Sequence, residues 1–153
     1  WLLLIYTMVA GGCAGSTAGG VKNVRLLLLL RNVKNEFHRL MHPRAVLPVK
    51  MNRMAVSQRT LATVMTFVFF YFVCIFLCWL ALMCMGIGLE ESFGLSVSSI
   101  GNVGPGLGVF GPAFSWSALP DLAKWLLSFM MLIGRLELFG VLLLLTPSFW
   151  DRR

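Results

Sequence analysis

At 153 residues, 58% of them apolar and only 12% charged, the chain is too hydrophobic for an ordinary soluble domain, where about a quarter of residues are charged. Its mean hydropathy of +0.83 makes the lipid bilayer the expected solvent. The net charge of +7 is not spread as a nucleic-acid surface would be: seven of the thirteen Lys and Arg crowd between Arg31 and Arg59, against the single acid Glu36.

Residues 1–10 form an apolar run too short to cross a membrane, without the basic start and cleavage site of a signal peptide. The run reads as the interior of a longer membrane protein, of which this chain is the C-terminal piece. The stretch "VAGGCAGSTAGGVK" follows, with five glycines in residues 9–22. A leucine-dominated run then extends from Val21 to Leu30 and gives way to Asn32, Lys34, Asn35 and Glu36. Two arrangements stand open there: a tilted helix continuing under a cytoplasmic extension, or a backbone break inside the protein beside water. Pro43 and Pro48 interrupt any helix in "HPRAVLP".

Thirty uncharged residues separate Arg59 from Glu90, more than the ~20 that a helix needs to cross ~30 Å of hydrocarbon. This segment is expected to span the membrane. It carries Cys74, Cys78 and Cys84, which with Cys13 read as buried thiols, since no His or acid stands near enough to complete a metal site. The connection from Gly88 to Asp121 has three acids and no basic residue. By the positive-inside rule residues 31–59 and the C-terminus are cytoplasmic, and this connection is outside. Within it, Glu90 to Ile100 makes about three helical turns before "GNVGPGLGVFGP", a second glycine-rich interruption. A last helix is expected from Leu122 to Leu145, with Arg135 and Glu137 in its middle.

The two interruptions repeat each other. With an offset of 89, Gly12, Gly15 and Gly19 fall on Gly101, Gly104 and Gly108, each set preceded by a short apolar half-helix and followed by a longer helix. A loop that enters the membrane and turns back must hide its backbone groups or offer them to something polar. Carbonyls bared by glycine can replace the water shell of a monovalent cation, and the C-terminal dipole end of a half-helix favours that charge. The rival reading is that small residues only let helices pack closely. Nucleotide binding fails on spacing, because Gly15 to Gly20 leads to Val21 instead of the lysine of a phosphate loop.

"GGCAGSTAGGVK", the basic "HPRAVLPVK", "NVGPGLG", and "GRLE" ahead of "TPSFW" together resemble the C-terminal portion of Trk-type potassium uptake proteins, in the superfamily that includes Ktr and HKT transporters. The resemblance covers essentially the whole chain. It implies an all-α membrane protein of M1, pore helix and M2 repeats with re-entrant selectivity-filter loops. Residues 1–59 would hold the end of the third pore helix, its filter loop, its M2 helix and the basic segment, and residues 60–153 the complete fourth repeat.

By the same resemblance Cys13, Ala14, Gly15 and Ser16 form the third filter strand, and Asn102, Val103, Gly104 and Pro105 the fourth, coordinating potassium through backbone oxygens. Arg135, with the polar stretch Asn32, Lys34, Asn35 and Glu36, would make the gate, since an arginine facing lipid costs at least ~3 kcal/mol and must face protein or water. Glu137 is a candidate partner for Lys22 or Arg25.

The expected function is potassium uptake across a bacterial cytoplasmic membrane, with no enzymatic activity and no cofactor, potassium being the cargo. The expected partners are the remaining repeats of the same transporter, a second copy in a homodimer, a cytosolic TrkA-like nucleotide-binding ring and the lipid bilayer, with no nucleic acid. The competing class is a non-conducting membrane scaffold whose glycines serve helix packing.

Overall fold

A computed structural model describes residues 2–12, 20–42, 50–51, 54–111 and 115–136. Five α-helices carry the fold: α1 (Leu2–Ala10), α2 (Asn23–Met41), α3 (Gln58–Cys84), α4 (Leu89–Gly101) and α5 (Asp121–Arg135). Two 3-10 turns, Gly108–Phe110 and Trp116–Ala118, lie between α4 and α5. Within the basic segment a ribbon of two-residue strands, β1 (Lys50–Met51) and β2 (Met54–Ala55), pairs antiparallel with Lys50 opposite Ala55.

α3 is the long element, with 27 residues giving a rod of about 40 Å, more than a bilayer's hydrocarbon requires. Its start is fixed by Ser57, whose hydroxyl accepts the Thr60 N–H at 3.1 Å. A narrow stripe of Phe67, Tyr71, Ile75, Cys78 and Leu82 is buried, while Phe69, Phe72, Phe76 and Leu77 stay exposed. A helix apolar on all faces but buried along one stripe is suited to lipid or to further membrane helices. All three of Cys74, Cys78 and Cys84 lie on α3 as free thiols.

α4 is the opposite case: thirteen residues, about 20 Å, too short to cross, and buried from Gly94 to Gly101. Two of its four buried serines turn their hydroxyls back onto the helix, Ser96 to the Ser92 carbonyl at 2.7 Å and Ser99 to that of Ser96 at 3.0 Å; Ser92 donates to the Ile87 carbonyl at 3.1 Å, and the Ser98 hydroxyl finds no partner among the described residues. The acids Glu90 and Glu91 in its first turn suit the positive end of the helix dipole. α3 and α5 both pack against α4 in one core, where Cys78 and Leu82 of α3 and Ala123, Leu127 and Met130 of α5 join Leu95 and Val97 of α4. The Trp79 indole N–H donates to the Leu89 carbonyl at 3.2 Å and ties the head of α4 to α3.

Of the two arrangements open for the polar stretch after Leu30, the helix prevails without a break. Asn32, Lys34, Asn35 and Glu36 all lie on α2, which runs unbroken from Asn23 to Met41. The physical reason is compositional: this segment holds neither Gly nor Pro and is rich in Leu, Arg and Lys, which favour helix. Its first half packs on α3 through Leu28 and Leu61, and the Arg25 guanidinium lies over the Phe67 ring at 4.1 Å. The second half extends past this contact and leaves Leu30, Val33, Phe37 and Leu40 exposed along one face.

Candidate functional site: two glycine loops at converging helix ends

The C-terminal ends of α1 and α4 meet. A side-chain carbon placed on Gly101, the last residue of α4, would lie 3.0 Å from the carbonyl oxygen of Met8, two residues before the end of α1. Met8 is buried in the same core as Ile100, Tyr71 and Met130. Two short helices thus direct their negative dipole ends to a common place, and both glycine stretches begin there.

Each helix stops on a left-handed residue: Gly11 at φ 65° after α1 and Asn102 at φ 53° after α4. The glycines align at an offset of 89, but the helix ends align at 91, since Ala10 corresponds to Gly101. Each stop falls on a residue that tolerates the left-handed conformation, glycine being the usual one and asparagine the commonest alternative.

Both segments turn back toward where they came from. After α1 the chain leaves at Gly12 and is again beside it at Gly20, where an added side-chain carbon would stand 2.8 Å from the Gly11 Cα. Across this mouth Val21 N–H donates to the Val9 carbonyl at 3.2 Å and Asn23 N–H to that of Gly12 at 3.3 Å. After α4 the chain climbs back along its own helix. Leu107 is buried against Gly94, Gly108 lies beside the Glu91 carboxylate, and Gly106 N–H donates to the Phe110 carbonyl at 2.9 Å. The stretch between, Asn102 to Pro105, is therefore an irregular strand without sheet partners that leads the chain back from the C-terminal end of α4, with left-handed backbone at Asn102 and positive φ at Gly104.

Within that strand the amides of Asn102 and Val103 cap α4 by donating to Ser99 and Ser98 carbonyls at 3.2 and 3.1 Å. Among the described residues no hydrogen bond is accepted by the carbonyls of Asn102, Val103, Gly104 or Pro105. Gly104 has φ 105°, a conformation closed to branched side chains, and nothing stands within 4 Å of where its side chain would begin. Unengaged oxygens on a strand at the negative ends of two helices can ligate a cation.

Cys13, Ala14, Gly15 and Ser16 lie outside the described residues, as does Glu137, so the expected third strand and the Lys22 to Glu137 pair are not described structurally. Arg135 is exposed on the last turn of α5. The expected continuation of that helix to Leu145 also lies outside the described residues. Asn32 donates to the Met65 sulfur at 3.9 Å, a contact to α3. What the sequence reading missed is the side chain of Asn102, whose amide donates to the Met131 carbonyl of α5 at 3.1 Å. Its place after a helix, where glycine is the usual residue, was the available signal.

Five α-helices, of which α3 is long and apolar enough to cross a bilayer and α1 and α4 are short and end on glycine-rich loops, make this an all-α membrane-protein fold. The particular family follows from comparison: the chain belongs to the TrkH family of cation transport proteins, whose family model matches residues 1–152. It is 42% identical over 149 residues to the Trk system potassium uptake protein TrkH of Vibrio parahaemolyticus and 40% identical to that of Escherichia coli K12, in each case over 97% of this chain. TrkI of Halomonas elongata is 36% identical over 151 residues. The crystal structure of the potassium transporter TrkH from Vibrio parahaemolyticus superposes with a TM-score of 0.89 at 41% identity, over 98% of this chain. The chain spans about 30% of the length of these relatives and 32% of that solved chain.

Proposed function

We propose that the chain is the third-repeat end and the fourth repeat of a potassium uptake protein, divided near residue 59, and that its two loops contribute two strands of one selectivity filter. The observation that carries this reading is the convergence of the α1 and α4 C-termini on a strand whose carbonyls, from Asn102 to Pro105, accept no hydrogen bond among the described residues. A dehydrated monovalent cation needs such oxygens, and helix dipole ends stabilise it further. Glycine-mediated packing explains the close approaches at Gly20 and Gly94 but leaves the bare oxygens beside Gly104 without a purpose.

Residues 13–16 form the partner strand in this reading, and the remaining repeats of the same protein complete the ring. Such repeats would also cover the apolar face of Leu30, Val33, Phe37 and Leu40 on α2. Arg135 stands on α5 beyond the filter as a fixed positive charge, a barrier to a permeating cation in a narrow passage of low dielectric. The stretch from Asn32 to Glu36 joins it in the gate as a polar helix face, without a backbone break. Residues 31–59 and the C-terminus face the cytoplasm, where a nucleotide-binding regulatory ring would meet them, and the complete transporter forms a homodimer.

The test is flux through the full-length protein reconstituted in lipid vesicles. Potassium flux well above sodium flux, lost in Gly104→Val, is the expected result. Wild-type flux and discrimination in a correctly inserted Gly104→Val protein contradict the filter assignment.

A further inference from the structure

Asn102 brings both a backbone oxygen to the proposed fourth filter strand and a side chain to α5. We infer that its side chain is a positioning residue for the fourth filter strand, a strut holding that strand at a fixed distance from α5. The inference rests on the filter reading of this loop.

Three observations meet at one point. The Asn102 amide nitrogen is 3.1 Å from the Met131 carbonyl oxygen and 3.5 Å from that of Ile100, and only the first distance is that of a sound hydrogen bond. Asn102 sits at φ 53°, ψ 40°, so its side chain leaves the end of α4 sideways toward α5 instead of along the helix. Gly134 makes the approach possible: a side-chain carbon there would overlap the Ile100 carbonyl oxygen and come within 2.8 Å of the Asn102 amide nitrogen. The glycine of "GRLE" is thus the seat on which the end of α4 and the strut rest.

In helix geometry the Met131 carbonyl is also the acceptor for the backbone N–H of Arg135, four residues on. A carbonyl oxygen has room for both donors. The strand that offers its oxygens to the cation and the helix turn that carries Arg135 therefore share one acceptor. Glycine at 102 would supply the same backbone angles without the strut. Aspartate would keep the shape and the tolerance for left-handed angles but present an acceptor to an acceptor.

The consequence falls on potassium binding and discrimination. Without the strut the strand still forms, capped by the amides of Asn102 and Val103, but its oxygens are no longer held at a fixed spacing and accommodate sodium as well as potassium. The full-length transporter in proteoliposomes, with Asn102→Gly, Asn102→Asp and Gly134→Ala, reads this directly. Gly134→Ala reaches the strut from α5 while also pushing on the Ile100 carbonyl, and Asn102→Asp serves should the glycine variant fail to fold.

Each variant is expected to lower the ratio of potassium to sodium flux by about tenfold, the size of one neutral hydrogen bond, and to raise the KM for potassium. Folded variants that keep wild-type discrimination and KM, beside a Gly104→Val protein that loses both, overturn the strut and leave the filter standing. If Gly104→Val is also unchanged, the filter reading itself fails and the strut with it.

Discussion

The two re-entrant segments solve one problem by different means. After α1 the chain is back beside its exit within nine residues, from Gly11 to Gly20, and the mouth is closed by backbone hydrogen bonds from Val21 and Asn23. After α4 the return is long: the strand climbs the helix, passes two 3-10 turns and reaches α5 only at Asp121. Among the described residues no backbone hydrogen bond comparable to that of Val21 to Val9 closes this loop. A side chain, Asn102 on the Met131 carbonyl, and close packing at Gly94 and Gly134 hold it instead. Among the described residues, the return after α1 is held by main-chain hydrogen bonds at its mouth, whereas the longer return after α4 borrows a neighbouring helix, α5, through the Asn102 side chain.

The largest test of this pairing is to place valine at Gly15 and at Gly104 in turn. If both serve one filter, each substitution is expected to reduce potassium uptake by the full-length protein to background, since φ 105° at Gly104 admits no branched side chain without strain of ~1–3 kcal/mol. Tolerance of one and not the other would break the equivalence. Arg135→Ala comes next, with basal potassium flux expected to rise several-fold through loss of a like charge facing the permeant ion. Unaltered flux would remove Arg135 from the gate and confine it to helix packing.

The mouth of the third loop answers to stability. Gly20→Ala adds a carbon 2.8 Å from the Gly11 Cα at φ 93°, and a loss of ~1–3 kcal/mol is expected, read as a lower thermal midpoint of the purified transporter. An unchanged midpoint would mean that the main-chain closure is looser than its hydrogen bonds suggest. The smallest effect belongs to Ser57→Ala, which removes the N-cap of α3 at a cost of about 1 kcal/mol and should leave ion discrimination untouched.

Much of this arrangement is legible in the letters. The thirty uncharged residues before Glu90 give α3, the short apolar run ending at Ile100 gives α4, and the glycine spacing gives the paired loops. The polar stretch at Asn32 to Glu36 was ambiguous for a physical reason: polarity at membrane depth is compatible with a broken helix or with a polar face on an intact one. Local propensity, with no Gly or Pro between Asn23 and Met41, decides for the intact helix. The offset of 89 between loops also proved incomplete, because glycine positions do not mark where a helix ends when asparagine can take the left-handed turn.

The sequence alone determined the solvent, through its hydropathy, and the presence of two half-helices too short to cross, through apolar run length and glycine spacing. Only the tertiary structure decided that the two half-helices end against each other, that the carbonyls after α4 accept no hydrogen bond from the described residues, and that Asn102 reaches α5 over Gly134. Run length and periodicity are one-dimensional and report what each segment prefers. Which carbonyl a side chain finds 29 residues away depends on how closely two backbones approach, and that is set by packing.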